Sequence, residues 1–407
     1  MTPLSGIRVL DLSRVWAGPL ATKFLADGGA EVIKVQAVRH FALDRLDNAS
    51  GYWHQCNANK LAICIELAHP EGVALFKRLV AVSDVVLENF TPRVMRRFGL
   101  AYEALRRVNP ELIMIVCPAM GSTGPEADYA ALGESIEALA GIVAQTGYHD
   151  EDRPIKTGVN YADPIVGMQA AAAVLAALIH RRRGGGGQFI DLSMREATVA
   201  LIGEQVVAHS ATGHVPERTG NRDPVFAPQG AYRCQGDDRW LTISVRSDEE
   251  WRRLCAAIGR PDLANDRRYA DAASRRAEHD ALDAIIGEWT SEQDAREATA
   301  LLQAAGIDAA PVSYVPELLS DPHLTAHGFW AAVDQPGFGV KPYPTLPYRL
   351  SRAPVEISAP PPAFAQHNRE IFCNLLGLSD VAFARLEAAY VISPEPLPYR
   401  SSGAAAG

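Results

Sequence analysis

An α/β fold with a mainly parallel sheet, followed by a smaller α+β domain, is what this chain predicts, and three observations carry the prediction. Short apolar, β-rich runs alternate with helix-patterned stretches through the N-terminal third, a long apolar helix follows, and the pattern changes at a polar connection near residue 210. Residues 7–12, 31–35, 62–67, 84–88 and 112–116 read as strands; residues 18–26, 70–82, 92–98 and 102–107 read as helices between them. Strands so separated pair in parallel with helices on both faces, the Rossmann-like arrangement, and ligands then bind beyond the strands' carboxyl ends. The first βα turn, Ser13-Arg14-Val15-Trp16-Ala17-Gly18, has no G-x-G-x-x-G, which excludes a nicotinamide enzyme.

The large domain is predicted over residues 1–209, a linker over 210–229, and a small domain over 230–315 that opens on a hairpin (231–233 and 240–245) and continues with helices at 248–258, 274–289 and 291–305. Residues 316–407 are rich in proline and patterned as helix only at 369–376 and 380–389. With 407 residues, 48% hydrophobic and 21% charged, the chain is long enough for two cores. A formal charge of −9 argues against nucleic-acid binding, and no uninterrupted apolar run approaches the ~20 residues of a membrane span. The first residues lack a secretory pattern, and six cysteines without a C-x-x-C pair suggest neither disulfides nor a metal site, so a cytoplasmic location is expected.

The most informative stretch runs from Gly158 to Ala197. Asp163 precedes Pro164, as an N-cap precedes proline at N1, so a helix is expected from Pro164. It is apolar nearly all round, ends on His180–Arg183, stops at Gly184–Gly187, and a strand follows. Two readings stay open: Asp163 is a helix cap, or it is a nucleophile at the mouth of a buried helix.

Six segments in order resemble the class III CoA-transferases, the CaiB/BaiF family: the opening GIRVLDLSRVWAGPLATKFLADGGAEVIKVQ with Ala17-Gly18-Pro19, the motif Asn57-Ala58-Asn59-Lys60, the stretch DVVLENFTPRVMRRFG, the turn GSTGP, the Asp163 segment with GQFIDLSMRE, and GAYRCQGDDRWLTISV. The resemblance implies a C-terminal segment that returns to the large domain and a homodimer of two interlocked rings. It implies Asp163 as catalytic nucleophile, forming an aspartyl–acyl anhydride with an acyl-CoA and then an aspartyl-CoA thioester before CoA passes to a free carboxylic acid. Glu134 aligns with a glutamate flanking that site. Trp16, Ala17, Lys60, Asn89, Phe90 and Arg97 match positions that line coenzyme A, with Lys60 near the adenine, and Gly18 and Gly230 are candidates for holding an oxyanion. Coenzyme A is thus expected as a substrate, with no tightly bound cofactor. Leu61 replaces the family's arginine, and residues 35–39 depart from its K-V-E-x-P pattern, which leaves Arg39 as a candidate at the adenine end. Trp16, bulky where oxalate-using members are polar, predicts a narrower pocket and a larger or more apolar acyl group.

Two alternatives belong to the same resemblance. An α-methylacyl-CoA racemase would need a His and an Asp on opposite faces of the substrate, but residues 121–141 contain no histidine. A non-catalytic homologue would bind acyl-CoA without forming an adduct.

Overall fold

The computed structural model describes residues 2–39, 51–353 and 355–398; the Ser401–Gly407 end of the C-terminal segment lies outside them. The chain divides into two compact units: residues 1–142, 157–213 and 323–407 form the first, and 143–156 with 214–322 form the second. Residues 143–156, expected in the large domain, thus cluster with the smaller unit, as do 214–229 of the expected linker.

The first unit is built on six parallel strands, β1 (Arg8–Asp11), β2 (Glu31–Gln36), β3 (Lys60–Cys64), β4 (Val85–Glu88), β5 (Ile113–Val116) and β6 (Phe189–Asp191), in the order β3-β2-β1-β4-β5-β6. The chain winds outward from β1 in both directions, so the crevice for ligands falls where β1 and β4 lie side by side. Alternating side chains feed two cores, as the pleat requires. Val9, Val85, Leu87, Ile113 and Ile115 pack on α1 (Ala17–Asp27), through Ala21 and Leu25, and on a 19-residue helix over Ala162–His180. Leu10, Val86, Met114 and Val116 face a helix over Pro70–Ala81, through Leu75, Phe76 and Leu79, and the C-terminal Phe372 and Phe383. That C-terminal stretch is tied to the edge strand: Ala62 N–H donates to His367 Nδ1 (3.0 Å) and Cys64 N–H to Asn368 Oδ1 (2.8 Å).

Helices of the first unit that matter below are α1, α2 (Gly51–Asn57), α3 (Pro70–Ala81), α4 (Arg93–Arg97), α5 (Tyr102–Arg106), α6 (Gly133–Leu139), α7 (Ile142–Gln145), which ends in the second unit, α8 (Ala162–His180), α9 (Met194–Val199) and α10 (Gly203–Thr212). With the π turn that follows, α8 is long and apolar enough by length and composition to cross a membrane, contrary to the expectation from uninterrupted runs. Half of that stretch is buried in the fold, on α1 and the sheet. Gly167 permits the close crossing, since a Cβ there would stand 3.0 Å from the Ala17 carbonyl oxygen. Gly184, at φ +88°, breaks the helical backbone inside the π turn Arg181–Gly185, where the glycine stop was predicted.

One expectation fails in the C-terminal segment and one in the small domain. Residues 330–344 form a hairpin of β10 (Trp330–Gln335) and β11 (Gly339–Pro344), which the prolines and the exposed faces disguise. In the second unit the predicted hairpin is β7 (Gln229–Arg233) with β8 (Trp240–Ser244), and β9 (Asp308–Pro311) adds an unforeseen third strand. Helices over Asp248–Ala257, His279–Ser291 and Ala295–Ala304 cover it, packing Trp251, Leu282, Ile286 and Leu302 into the core.

Candidate active site

A cleft of about 290 Å³ lies in the first unit beyond the ends of β1 and β4. Arg14 and Val15 from the β1–α1 loop, Asn89, Phe90 and Thr91 after β4, the 129–133 segment, Met194 and Asp163 line it. No histidine stands among these lining residues.

Asp163 is 6% exposed and sits in the first turn of α8. The helix begins at Ala162 with Tyr161 as its N-cap position, so the expectation of a helix starting at Pro164 and capped by Asp163 is corrected. The work of that cap falls to Glu137 of α6, fully buried, whose Oε1 accepts the N–H groups of Tyr161 and Ala162, the latter at 3.4 Å. Carboxylates satisfying the unpaired donors of a helix start also answer its positive dipole end. The side chain of Asp163 instead lies beside the backbone N–H of Ala17, which favours its charged form; Ala17 is the first residue of α1, a helix with no side-chain cap of its own. Removing Glu137 leaves one buried and one part-buried N–H unpaired, so Glu137→Ala is expected to cost ~1–3 kcal/mol, read as a lower urea midpoint.

Close packing fixes the other side of the carboxylate. A Cβ on Gly133 would stand 2.0 Å from Asp163 Oδ2, so any side chain there would displace the carboxylate or the start of α6. Burial is the largest influence on Asp163 and pushes its pKa up to about 6; the Ala17 N–H opposes that shift and the Glu137 charge adds to it. Next to the cleft, Glu88 at the end of β4 accepts the Phe90 N–H at 2.6 Å and is pushed by burial to about 8. Glu88 is therefore largely uncharged at neutral pH.

The remaining predicted residues fall into three groups. Asn89 and Phe90 line the cleft; Asn89 also clamps the β1–α1 loop, accepting Arg14 N–H and donating to Arg14 O, both at 2.8 Å, while the Arg14 guanidinium lies 5.6 Å from the Phe90 ring centre. Glu134 is exposed in the first turn of α6, Arg97 is exposed at the end of α4, and Arg39 bridges to Leu397 with Nη1 3.3 Å from Pro398 O. Trp16 is half-buried and is not among the residues lining the cleft, where Arg14 and Val15 stand instead.

Three expectations need correction. Lys60 does not face a ligand: it is 3% exposed and its Nζ is surrounded by Asp11 Oδ2 (2.9 Å), Pro19 O (2.8 Å), Thr22 Oγ1 (2.8 Å) and Asn57 Oδ1 (3.1 Å). Buried ammonium groups are kept where their hydrogens are satisfied, and four acceptors do that here. Gly18 is buried with its Cα against Ser13, where a Cβ would come within 2.3 Å of the serine Cβ, so close packing explains it; the donor that reaches Asp163 is Ala17, itself 1% exposed. Gly230 belongs to the second unit, inside the β7–β8 ladder opposite Ile243, where a Cβ would meet the Tyr232 ring at 2.8 Å. Glu137, by contrast, was not foreseen, although it lies on the same buried face of α6 as Gly133 and Ile136.

The profile of CoA-transferase family III matches residues 4–368. The chain belongs to that family. It is 38% identical over 396 residues to a succinyl-CoA–D-citramalate CoA-transferase of Chloroflexus aurantiacus, covering 96% of this chain and 98% of the relative. A succinate–glutarate CoA-transferase of Agrobacterium fabrum is 34% identical over 92% of this chain and 96% of its own length. A CaiB/BaiF family protein of Brucella suis superposes with a TM-score of 0.84 at 32% identity, over 92% of this chain and 99% of that one. The enzyme is a class III CoA-transferase, and the resemblance carried by the six segments holds across the chain. Among the described residues no group of three or more His, Cys, Asp or Glu is placed to hold a metal.

Proposed function

We propose that the chain moves CoA from an acyl-CoA to a free carboxylic acid with Asp163 as the covalent nucleophile. One observation carries this reading: a nearly buried carboxylate, beside a backbone N–H and opening on a cleft at the sheet's switch point, is not used to cap its own helix. An Asp163 oxygen attacks the thioester carbonyl; the C–S bond breaks, CoA leaves as thiolate, and an aspartyl–acyl anhydride remains. The thiolate attacks the aspartyl carbonyl and releases the donor as a carboxylate, leaving aspartyl-CoA. The acceptor carboxylate attacks that thioester, expelling the thiolate and forming a second anhydride. Attack of the thiolate on the acceptor's acyl carbon yields the new acyl-CoA and frees Asp163.

The two relatives act by name on succinyl-CoA with D-citramalate and on succinate with glutarate, and a four- or five-carbon dicarboxylate is the substrate class we assign. Arg14 is the cation among the residues lining the cleft and supplies a partner for a distal carboxylate. This replaces the more apolar acyl group suggested by Trp16, which does not line the cleft. A racemase is disfavoured because the lining residues include no histidine to pair with Asp163. Asn89 and Phe90 are assigned to the pantetheine arm, and Arg97 and Arg39 remain proposed contacts for the nucleotide end.

We further propose a cytoplasmic homodimer, interlocked as the family resemblance implies. The exposed Met168, Leu175 and Ile179 of α8 and Val206 and Val207 of α10 favour a second copy as cover, and six unpaired cysteines, five of them buried, fit a reducing compartment. Light scattering at micromolar concentration checks the dimer.

Incubation with succinyl-CoA, followed by mass spectrometry of the Asp163 peptide, tests the reading. A succinyl or CoA adduct on Asp163 is expected, and its absence during active turnover would overturn it. Because attack requires the ionised carboxylate, kcat/KM for succinyl-CoA is expected to fall with pH, with an acid limb centred at about 6 and a plateau above it.

A further inference from the structure

A cluster of buried charges at the carboxyl end of β1 takes no part in the steps above. Asp11, at the end of β1, is fully buried between Lys34 of β2 and Lys60 of β3. Its carboxylate accepts Ser13 N–H at 2.9 Å, the Ser13 hydroxyl, and the Thr22 hydroxyl at 2.6 Å. Lys34 Nζ donates to Asp11 Oδ1 (3.2 Å) and to the Ser13 carbonyl, whereas Lys60 Nζ donates to the Pro19 carbonyl and to Thr22. The two ammonium groups therefore grip the main chain on both sides of residues 14–18, one at Ser13 and the other at Pro19.

Between those two anchors the chain is not relaxed. Val15 has φ +64°, a left-handed conformation that a β-branched side chain adopts only when its surroundings impose it. Asn89 holds the Arg14 peptide from the β4 side. This arrangement sets the wall of the cleft: Arg14 and Val15 line it together with Asp163, and Ala17 packs against Gly167 in the first turns of α8, which keeps the Ala17 N–H beside the Asp163 carboxylate. Nothing on α1 supplies a side-chain cap to hold that N–H otherwise.

We propose that Lys60, acting with Asp11 and Lys34, is a positioning residue for the reaction: it pins the β1–α1 loop, which walls the cleft beside Asp163, and so keeps the Ala17 N–H and the cleft wall in place around the attacking carboxylate. The inference rests on the reading of Asp163 as nucleophile. Lys60 is a poor candidate for proton transfer, since every acceptor around it is internal and it is 3% exposed. Burial lowers its pKa to about 8 against the opposing pull of Asp11, so the grip weakens above that value.

Two variants test it on the full-length chain: Lys60→Met removes the ammonium, and Thr22→Val removes only the hydroxyl that Asp11 and Lys60 share. Succinyl-CoA is the probe, with glutarate and D-citramalate as acceptors. Each variant is expected to lower kcat at least about tenfold with a smaller change in KM, as when one positioned donor is lost. The acid limb of kcat/KM is also expected to move upward by about half a pH unit or more, because the Ala17 N–H that favours the charged form of Asp163 is no longer held beside it. The groups that face Asp163 from packed elements, Glu137 of α6 and the Arg14 and Tyr129 side chains of the cleft, are unchanged in both variants. Thr22→Val is isosteric and reports even where Lys60→Met fails to fold.

A variant that is less stable yet keeps the wild-type kcat and acid limb would overturn the positioning role and leave the cluster purely structural. Adduct mapping separates the two readings. If the wild-type chain turns over without labelling Asp163, the nucleophile assignment falls; if it labels Asp163 and both variants label it at the same rate, only the positioning role falls.

Discussion

Asp163→Asn is expected to lower CoA transfer by at least about 10⁴-fold, the scale seen when a covalent nucleophile is removed, while leaving the fold intact or more stable. The two outcomes have one cause. Burial raises the Asp163 pKa from 3.8 to about 6, so the folded chain prefers the protonated acid. That preference contributes fully to stability below pH 3.8 and is lost as pH rises through about 6; at pH 8 the ionised form opposes folding, by up to ~3 kcal/mol from a shift of this size. An asparagine carries no such charge, fills the same space against Gly133, and can still accept the Ala17 N–H through its Oδ1. A thermal melt at pH 8 should therefore show the variant at or above the wild-type midpoint, and the difference should vanish or reverse near pH 4. Loss of activity together with a lower midpoint at pH 8 would mean that the carboxylate holds the fold rather than the substrate.

The sheet was legible because its strands are nearly uninterrupted apolar runs between glycine, proline and asparagine stops, and because parallel strands bury both faces. Residues 85–88 and 113–116 could hardly be anything else: all eight side chains are buried. The strand over Lys60–Cys64 was placed two residues late because a lysine reads as surface, and its counter-charge, Asp11, lies 49 positions earlier in the chain. Only the register β1–β2–β3 brings them together. The same locality limit explains Asp163. Next to Pro164 it has the pattern of a cap, yet the donor it takes belongs to α1 and the cap of α8 comes from Glu137, 24 positions before Tyr161. Period alone could have preferred Glu137 to Glu134: Gly133, Ile136, Glu137 and Ala140 share the buried face, which leaves Glu134 outside. The hairpin of β10 and β11 gave no such signal, since Pro342 and Pro344 break the strand pattern and most of its side chains are exposed.

Gly133→Ala isolates the geometry of the nucleophile from its chemistry, and is expected to cost about 10²–10³-fold in kcat with little loss of stability. Gly133 opens α6 with ordinary helical backbone, so alanine brings no backbone strain and gains up to ~1 kcal/mol of helix propensity. What the methyl meets is local: Asp163 Oδ2 at 2.0 Å and Asn160 Cβ at 3.2 Å. A Cβ cannot remain at 2.0 Å from an oxygen, so either the carboxylate rotates off the Ala17 N–H or the start of α6 moves away from α8. Rotation misaims the attacking oxygen by about an ångström, which is enough to cost two orders of magnitude when the reacting atoms must be held in line. The acid limb distinguishes the two responses: a carboxylate that has lost the Ala17 N–H titrates above about 6, whereas a displaced α6 carries Glu137 away from it and lets it titrate lower. Adduct formation with succinyl-CoA, followed by mass over time, should be slowed in proportion to kcat while the site of labelling stays at Asp163. Unchanged kcat in this variant would mean that Oδ2 is free to move without consequence, and the attack would then have to come from the other carboxylate oxygen.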